Sequence, residues 1–456
     1  MGKRKNAPRR AVSATAVFSI GFLMLILIGT VLLSLPVSSA NGQAVPPLDA
    51  AFTAVSATCV TGLITVDTAT TWSTFGHTVI IVLIQIGGLG FMTVAMLLSL
   101  IIRRSISPEE RRLAAMSYNL ESFDGTLPLI KHILLGTFLI EFSGAALLAT
   151  RFVPDFGWKL GIRKSIFHAI SAFCNAGFDT IGVGNPSIEG MSHYVTDPTV
   201  NLTLTALIVL GGIGFLVWNE VYGFLRYRKQ LSAYTKLVLL ISAILLVGGT
   251  ALFAALEWSN PESLGAIHGI PQKLMVSLFQ SASWRTAGFC TVPNNQFTDS
   301  TLLLGILLMF VGGASGSTAG GVKVGTVGIL IYTVWCVFLG KKSAVLFRRK
   351  ISDSSFVRAT SVIAVQITAI LIGAMLLSVT TPHGLLDILY EVVSAVSTVG
   401  ITTGITPSLS VVAKLTLMIL MYFGRVGVLT VSYAVLNSLM KDQSAIDYPE
   451  AKLLIG

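Results

Sequence analysis

Four glycines constrain this chain more than any other feature. Gly62, Gly177, Gly288 and Gly400 recur 115, 111 and 112 residues apart, in stretches reading SATCVTGLIT, SAFCNAGFDT, SASWRTAGFCT and SAVSTVGITT. Around each, a long apolar run comes first, then a short apolar segment, then the glycine, then a second long apolar run ending in positive charge. The short segments (about 48–59, 165–174, 272–284 and 385–397) are read as helices. At about 1.5 Å per residue they fall short of a hydrocarbon core of about 30 Å. Each must enter and return, and non-helical backbone survives at that depth only where it is buried in protein or lines a cavity. Chance likeness among apolar helices does not reproduce spacing, flanks and order together, so the chain reads as one unit written four times.

Composition agrees with a membrane setting. Of 456 residues 53% are hydrophobic and 11% charged, against about a quarter charged in soluble domains. Runs such as 11–35, 79–102 and 357–380 are long enough to span. A secretory signal is the alternative for the first, but signal cores run to about 7–15 residues and this run is longer. The net charge of +10 does not signal nucleic acid. Its basic residues cluster at 3–10, 103–112, 226–236, 341–358 and, thinly, 441–452, each beside an apolar run. The positive-inside rule makes those flanks and both termini cytoplasmic and puts the glycine stretches on the outer side. The stretch 151–164, with four basic residues, breaks that pattern. Cys59, Cys174, Cys290 and Cys336 show no metal-type pairing; three follow the repeat and read as packing residues.

The expected fold is an all-α polytopic membrane protein with four parallel helix–pore loop–helix repeats. These supply eight transmembrane helices and four re-entrant pore helices around a pseudo-fourfold pore. The boundaries are a basic N-terminus 1–10, repeats 11–126, 127–232, 233–355 and 356–441, and a tail 442–456. Each unit crosses an even number of times, so all four point the same way and leave an opening on their common axis.

Glycine holds φ > 0 without steric cost, which lets successive carbonyls turn toward that axis. Four such stretches replace a cation's hydration shell with fixed dipoles, and the C-terminal ends of the short helices favour a monovalent cation. The candidate carbonyl donors are Val60, Thr61, Gly62 and Leu63; Asn175, Ala176, Gly177 and Phe178; Thr286, Ala287, Gly288 and Phe289; and Thr398, Val399, Gly400 and Ile401. No carboxylate ring accompanies the glycines, as a divalent-cation pore would prefer. The third inner segment reads VGGASGSTAGGVKVG over 311–325, and six glycines there cost about 1 kcal/mol each in a helix. A small-residue packing face and a broken helix both remain open. The corresponding QIGGLGF (85–91), VLGGIGF (209–215) and YFGRVGV (422–428) are expected to kink and continue.

The single-glycine stretches, FCNAGFD, WRTAGF and the fourfold arrangement together resemble the Trk/Ktr/HKT superfamily of potassium transporters over nearly the whole chain. Within it the chain is most like the KtrB-type membrane components of Ktr systems, having only about ten residues before its first span. The resemblance implies potassium selectivity, with K⁺ held at Gly62, Gly177, Gly288 and Gly400, and sodium-stimulated uptake as in many Ktr systems. It also implies an intramembrane gate loop within 311–325. That loop comprises Gly312, Gly313, Ala314, Ser315, Gly316, Ser317, Thr318, Ala319, Gly320 and Gly321, with Lys323 and Arg425 beside it. Implied partners are a second copy of the chain and a cytosolic RCK-type ring (KtrA-like) that carries the nucleotide, ATP/ADP or NAD. The setting implied is the plasma membrane, with no covalent cofactor and no nucleic acid.

Charges at membrane depth are expensive and paired or functional. Arg425 reads as a cavity-facing barrier or loop latch, or else as half of an ion pair. Lys323 is equally open. Glu141 reads as a partner for a neighbouring helix, and Arg285 as a brace behind the glycine stretch. No phosphate-binding, zinc-protease or nucleophile-elbow motif is present, so the chain is not read as an enzyme. The competing function is an alternating-access transporter of another cation or solute, though such proteins commonly carry inverted rather than parallel repeats.

Overall fold

The computed structural model describes residues 14–90, 126–182, 190–341 and 343–427. The basic N-terminus 1–10, the clusters at 103–112 and 441–452, and the tail 442–456 lie outside the described residues.

Four helical stretches, Val17–Ser34, Ile130–Phe156, Ala233–Glu257 and Asp353–Thr380, are long and apolar enough to cross a membrane. We call them outer helices. Each leaves apolar side chains such as Val31, Phe142, Val247 and Val379 uncovered, as lipid-facing surfaces do. Each is followed by a short helix: Pro47–Cys59, Trp158–Phe173, Ile270–Trp284 and Leu385–Val396. Proline or glycine opens every one, at Pro46, Gly157, Gly269 and Gly384. An inner segment follows in each unit, starting at Thr74, Pro198, Asp299 and Val411. All four inner helices begin on a side-chain N-cap, respectively Ser73, Asp197, Thr298 and Ser410. The cap oxygen accepts a backbone N–H that would otherwise be unpaired.

Packing closes these units on one another. Every short helix lies between the outer and inner helices of its own unit. Each inner segment also packs on the short helix of the next unit: first on second, second on third, third on fourth, and fourth back on first.

Where outer helices are single spans, inner segments are interrupted. The first ends at Leu89, before Gly90 at φ 82°. The second stops at Gly212 and resumes at Phe215 after a 99° bend, with Gly214 at φ 91°. It therefore turns away sharply, where the sequence suggested a kink and continuation, because only glycine tolerates that backbone at the corner. The third stops at Phe310 and resumes at Val324. The fourth passes into a π-turn over Phe423–Gly427, a local widening of the helix frequent at functional sites.

The second short helix starts at Trp158, seven residues before the expected 165. The stretch 151–164 is helix on both sides of Gly157, which takes φ 77°. Three of the four basic residues in this stretch have partners close by. Arg151 pairs with Asp197 at 2.5 Å, Arg163 donates to Thr74 Oγ1 at 2.6 Å, and buried Lys164 donates to the Thr180 carbonyl.

Candidate functional site

The site begins where the short helices end. In the first unit Val60 N–H donates to Ala57 O and Thr61 N–H to Ser56 O. Asn175 and Ala176 repeat the pattern on Ala172 and Ser171, as do Thr398 and Val399 on Ala395 and Ser394. This paired closure satisfies helix-end carbonyls and normally places glycine in the left-handed conformation. Here the left-handed residues are Val60 (φ 59°), Asn175 (φ 59°) and Thr398 (φ 50°), with Thr286 (φ 70°) at the same offset in the third unit. The third unit closes one residue later, with Gly288 N–H reaching Ser283 O. Left-handed backbone costs roughly 1–2 kcal/mol for an L-residue, and β-branched Val or Thr is a true outlier there. Three such outliers at one register, each locked by hydrogen bonds, are strain concentrated at a site.

Two residues on, the backbone turns left-handed again at Gly62 (φ 99°), Gly177 (φ 69°), Gly288 (φ 84°) and Gly400 (φ 89°). The four glycines meet. A Cβ built on Gly177 would lie 2.6 Å from Gly288 Cα, and one on Gly288 2.6 Å from Val399 O. One on Gly400 would lie 2.7 Å from Gly62 Cα, and one on Gly62 3.4 Å from Gly177 Cα. A carbonyl contact also repeats around the ring: a Cβ on each glycine would meet the carbonyl of the residue just before the next glycine, namely Ala176, Ala287, Val399 and Thr61. Four extended backbones thus enclose one axis with no room for a side chain. Leu63, Phe178, Phe289 and Ile401 are buried in the surrounding core, so nothing but backbone is left at the ring.

Serines hold the ring from behind. Ser56 and Ser394 hydroxyls accept from Gly62 and Gly400 N–H, both at 3.0 Å. Ser171 and Ser283 donate instead to the carbonyls of Phe178 and Phe289. Arg285 is buried and points away, donating to Ser242 O at 3.3 Å and Ser242 Oγ at 3.2 Å on the third outer helix.

Beside the ring lies the irregular segment between Phe310 and Val324. It folds on itself through Gly312 N–H to Val322 O and Val324 N–H to Gly313 O. It is sewn to the second inner helix by Ala314 N–H to Gly212 O and Phe215 N–H to Gly316 O. Thr318 Oγ1 donates to Phe173 O, the last residue of the second short helix, at 3.0 Å and lies 3.3 Å from Asn175 Oδ1. Ser315 O accepts from Tyr234, Ser317 Oγ donates to Ala314 O, and Gly320 and Gly321 lie against Thr398 and Gly312. Lys323 Nζ donates to Ala319 O at 2.7 Å. Arg425 donates to Thr318 O, to Gly87 O at 2.6 Å and to Gly88 O at 3.2 Å. No carboxylate pairs with Arg425 or Lys323 among the described residues. Glu141, by contrast, is buried and accepts from Gln85 of the first inner helix at 3.0 Å.

One set of site residues escaped sequence reasoning. A Cβ on Gly87, Gly211 or Gly424 would collide with the carbonyl of Thr58, Phe173 or Val396, in each case the residue four before the ring glycine. In the third unit a Cβ on Gly305 would lie 2.9 Å from Cε2 of the Trp284 ring. Inner-segment glycines therefore seat the ends of the short helices. Their signal in the sequence was a glycine within each inner segment, paired with a second in the first two (Gly87-Gly88 and Gly211-Gly212) and single at Gly305 and Gly424.

Residues 2–446 match the family described as TrkH, cation transport protein. The chain is 40% identical to Ktr system potassium uptake protein B of Bacillus subtilis over 96% of each chain. It is 38% identical to potassium/sodium uptake protein NtpJ of Enterococcus hirae over 99% of each. Among solved structures, the potassium transporter TrkH from Vibrio parahaemolyticus shares the fold, with a TM-score of 0.67 at 17% identity, covering 95% of this chain and 86% of that one.

Proposed function

The chain belongs to the TrkH family of cation transport proteins, and from that premise we propose that it is the potassium-translocating membrane subunit of a Ktr-type uptake system. The observation that carries the reading is the closed ring of four glycines. In it each glycine meets the carbonyl before the next. A dehydrated monovalent cation on that axis exchanges water oxygens for backbone oxygens, with no ring of carboxylates at the four glycines to favour a divalent ion. The residues flanking each glycine, 60–63, 175–178, 286–289 and 398–401, form the selectivity filter. The four units act as parallel repeats, 11–126, 127–232, 233–355 and 356–441, giving eight spans and four re-entrant helices in the plasma membrane. The basic flanks and both termini are cytoplasmic.

The loop within 311–325 acts as the gate. Its hydrogen bonds to Gly211, Gly212, Phe173 and Arg425 fix it beside the ring, and its glycines let it repack when those bonds are given up. Arg425 latches the loop and places a positive charge on the cation path. A second copy of the chain and a cytosolic RCK-type ring carrying ATP/ADP or NAD complete the assembly, and sodium stimulates uptake.

Purified chain in proteoliposomes tests the reading. Rb⁺ enters down its gradient, Na⁺ competes weakly, and no organic solute is required. Flux that needs another solute, or that prefers Na⁺, would overturn it in favour of an alternating-access transporter.

A further inference from the structure

Nine positions before its ring glycine, each short helix carries a buried residue: Thr53, His168, Phe279 and Glu391. Two of these bridge to the backbone limb that leaves the ring, and they stand in opposite units, the second and fourth. His168 Nε2 lies 2.9 Å from Asp179 Oδ1, two residues past Gly177, while its Nδ1 lies 2.8 Å from Lys164 O. Asp179 Oδ1 also accepts from Ile181 N–H at 2.6 Å. Glu391 accepts from Thr406 Oγ1, which lies 3.1 Å from Oγ1 of Thr402, two residues past Gly400. The other two units have nothing comparable at this register: Phe279 has no polar group, and Thr53 Oγ1 is buried without a partner.

We propose that Glu391 and His168 are positioning residues for ion selection, struts that hold the outer limbs of two opposite filter strands. The inference rests on the glycine ring being the filter. An ionisable side chain buried at membrane depth is costly to keep and is retained where it acts. The limbs beyond the glycines have no continuous helix or sheet to fix them, so side-chain bonds set where their carbonyls stand. The third limb is held indirectly: Gln280 donates to Asn294 Oδ1 at 3.2 Å, and Asn294 donates to Thr402 O at 3.3 Å on the fourth limb. On the first limb, Thr65 Oγ1 is buried without a partner. The filter is therefore fourfold at its glycines but unequally braced just outside them, with the Glu391 strut supporting two limbs.

The test is Rb⁺ uptake into proteoliposomes against competing Na⁺. It compares wild type with Glu391→Leu, Glu391→Gln, Thr406→Val, the Glu391→Leu/Thr406→Val double variant, His168→Leu and Phe279→Leu. Glu391→Leu and Thr406→Val should each weaken Rb⁺ over Na⁺ discrimination about five- to tenfold, the scale of one buried hydrogen bond, with a much smaller change in maximal flux. The double variant should be no worse than either single, because both remove one bond. Glu391→Gln keeps an acceptor for Thr406 and should retain discrimination, as should Phe279→Leu. His168→Leu should shift discrimination in the same sense as Glu391→Leu. If Glu391→Leu does not assemble, Thr406→Val reads the same bond from the other side. Unchanged discrimination in Thr406→Val, additive losses in the double variant, or a Gln variant as impaired as Leu would each overturn the strut. Wild-type protein that carries no Rb⁺ would overturn the filter reading and this inference together; normal wild-type flux with indifferent variants overturns this inference alone.

Discussion

Arg425 hands one guanidinium nitrogen to the carbonyl of Thr318 and the other to the carbonyls of Gly87 and Gly88. One side chain of the fourth inner segment thus ties the irregular loop of the third unit to the glycine pair of the first. A guanidinium suits this task because its planar fork addresses several acceptors while its charge never leaves it. Among the described residues carbonyl oxygens take the place of a carboxylate, so dipoles solvate the charge.

Arg425→Ala removes both the latch and the charge. Hydrogen bonds to a charged group are worth about 1.5–3 kcal/mol each, so losing even one should shift a closed–open equilibrium about tenfold or more. Basal Rb⁺ flux should rise while Rb⁺ over Na⁺ discrimination stays with the ring. Arg425→Lys, which keeps charge but not the fork, should fall between. Flux lower than wild type in folded Arg425→Ala would refute the latch.

At the ring, a side chain has nowhere to go. The atoms a Cβ would meet at Gly177, Gly288 and Gly400 are backbone, which cannot swing aside, and left-handed φ adds its own cost to any L-residue. Each single Gly→Ser change should therefore lower apparent Rb⁺ affinity about tenfold and weaken discrimination. Detergent-extracted protein should still elute as the wild type does. Rb⁺ uptake and Na⁺ competition unaltered in all four variants would remove the ring from the ion path.

These elements were unequally legible in the sequence. The ring glycines stand out because their spacing and flanks repeat, and the interruption before Val324 is written in five glycines, Gly312, Gly313, Gly316, Gly320 and Gly321, whose summed helix cost no span could carry. The bend at Gly214 is less visible, since a glycine in an apolar run marks a kink and a corner alike, and which one forms depends on what the chain packs against next. The early start of the second short helix was hidden by its basic residues, of which Arg163 and Lys164 look solvated until Thr74 and the Thr180 carbonyl are found opposite them. Least legible were Val60, Thr286 and Thr398, whose residue types favour strands. Their left-handed backbone is imposed by hydrogen bonds that form only once the helix end is in place.

Sidedness can be read chemically. After replacement of Cys290, which is the native cysteine that is not fully buried, Glu262→Cys should react with an impermeant thiol reagent in intact cells. Lys350→Cys should react only after permeabilisation. Both positions are exposed. The opposite pattern would invert the orientation and put the outer limbs in the cytoplasm.

The inner-segment glycines make a separate claim about assembly. Gly424→Ala drives a methyl group into the Val396 carbonyl, so the fourth short helix must move and its ring glycine with it. Rb⁺ flux and thermal stability should both fall. Gly248→Ala meets nothing within 4 Å in the third outer helix and should leave flux unchanged, with stability equal or raised by up to about 1 kcal/mol. Equal tolerance at both positions would show that the close seat of Gly424 on the short helix is dispensable.

The loop itself can be removed. Two readings of 311–325 diverge on deletion of residues 314–319. If the segment is a gate, the deletion takes away Thr318, and with it the bonds to Phe173 and Arg425, and clears material from beside the ring. Flux should rise several-fold and lose its dependence on a cytosolic partner, while discrimination persists because Gly62, Gly177, Gly288 and Gly400 are untouched. If the small residues serve instead as a packing face, the same deletion strands the Gly212 carbonyl without its Ala314 donor. A buried unpaired carbonyl costs about 1–3 kcal/mol, and the second and third inner segments should then separate. Expression or thermal stability would collapse and flux would vanish with it. The deciding measurement is flux from a deletion variant that elutes like wild type: higher flux supports the gate, and unchanged or lower flux rules it out.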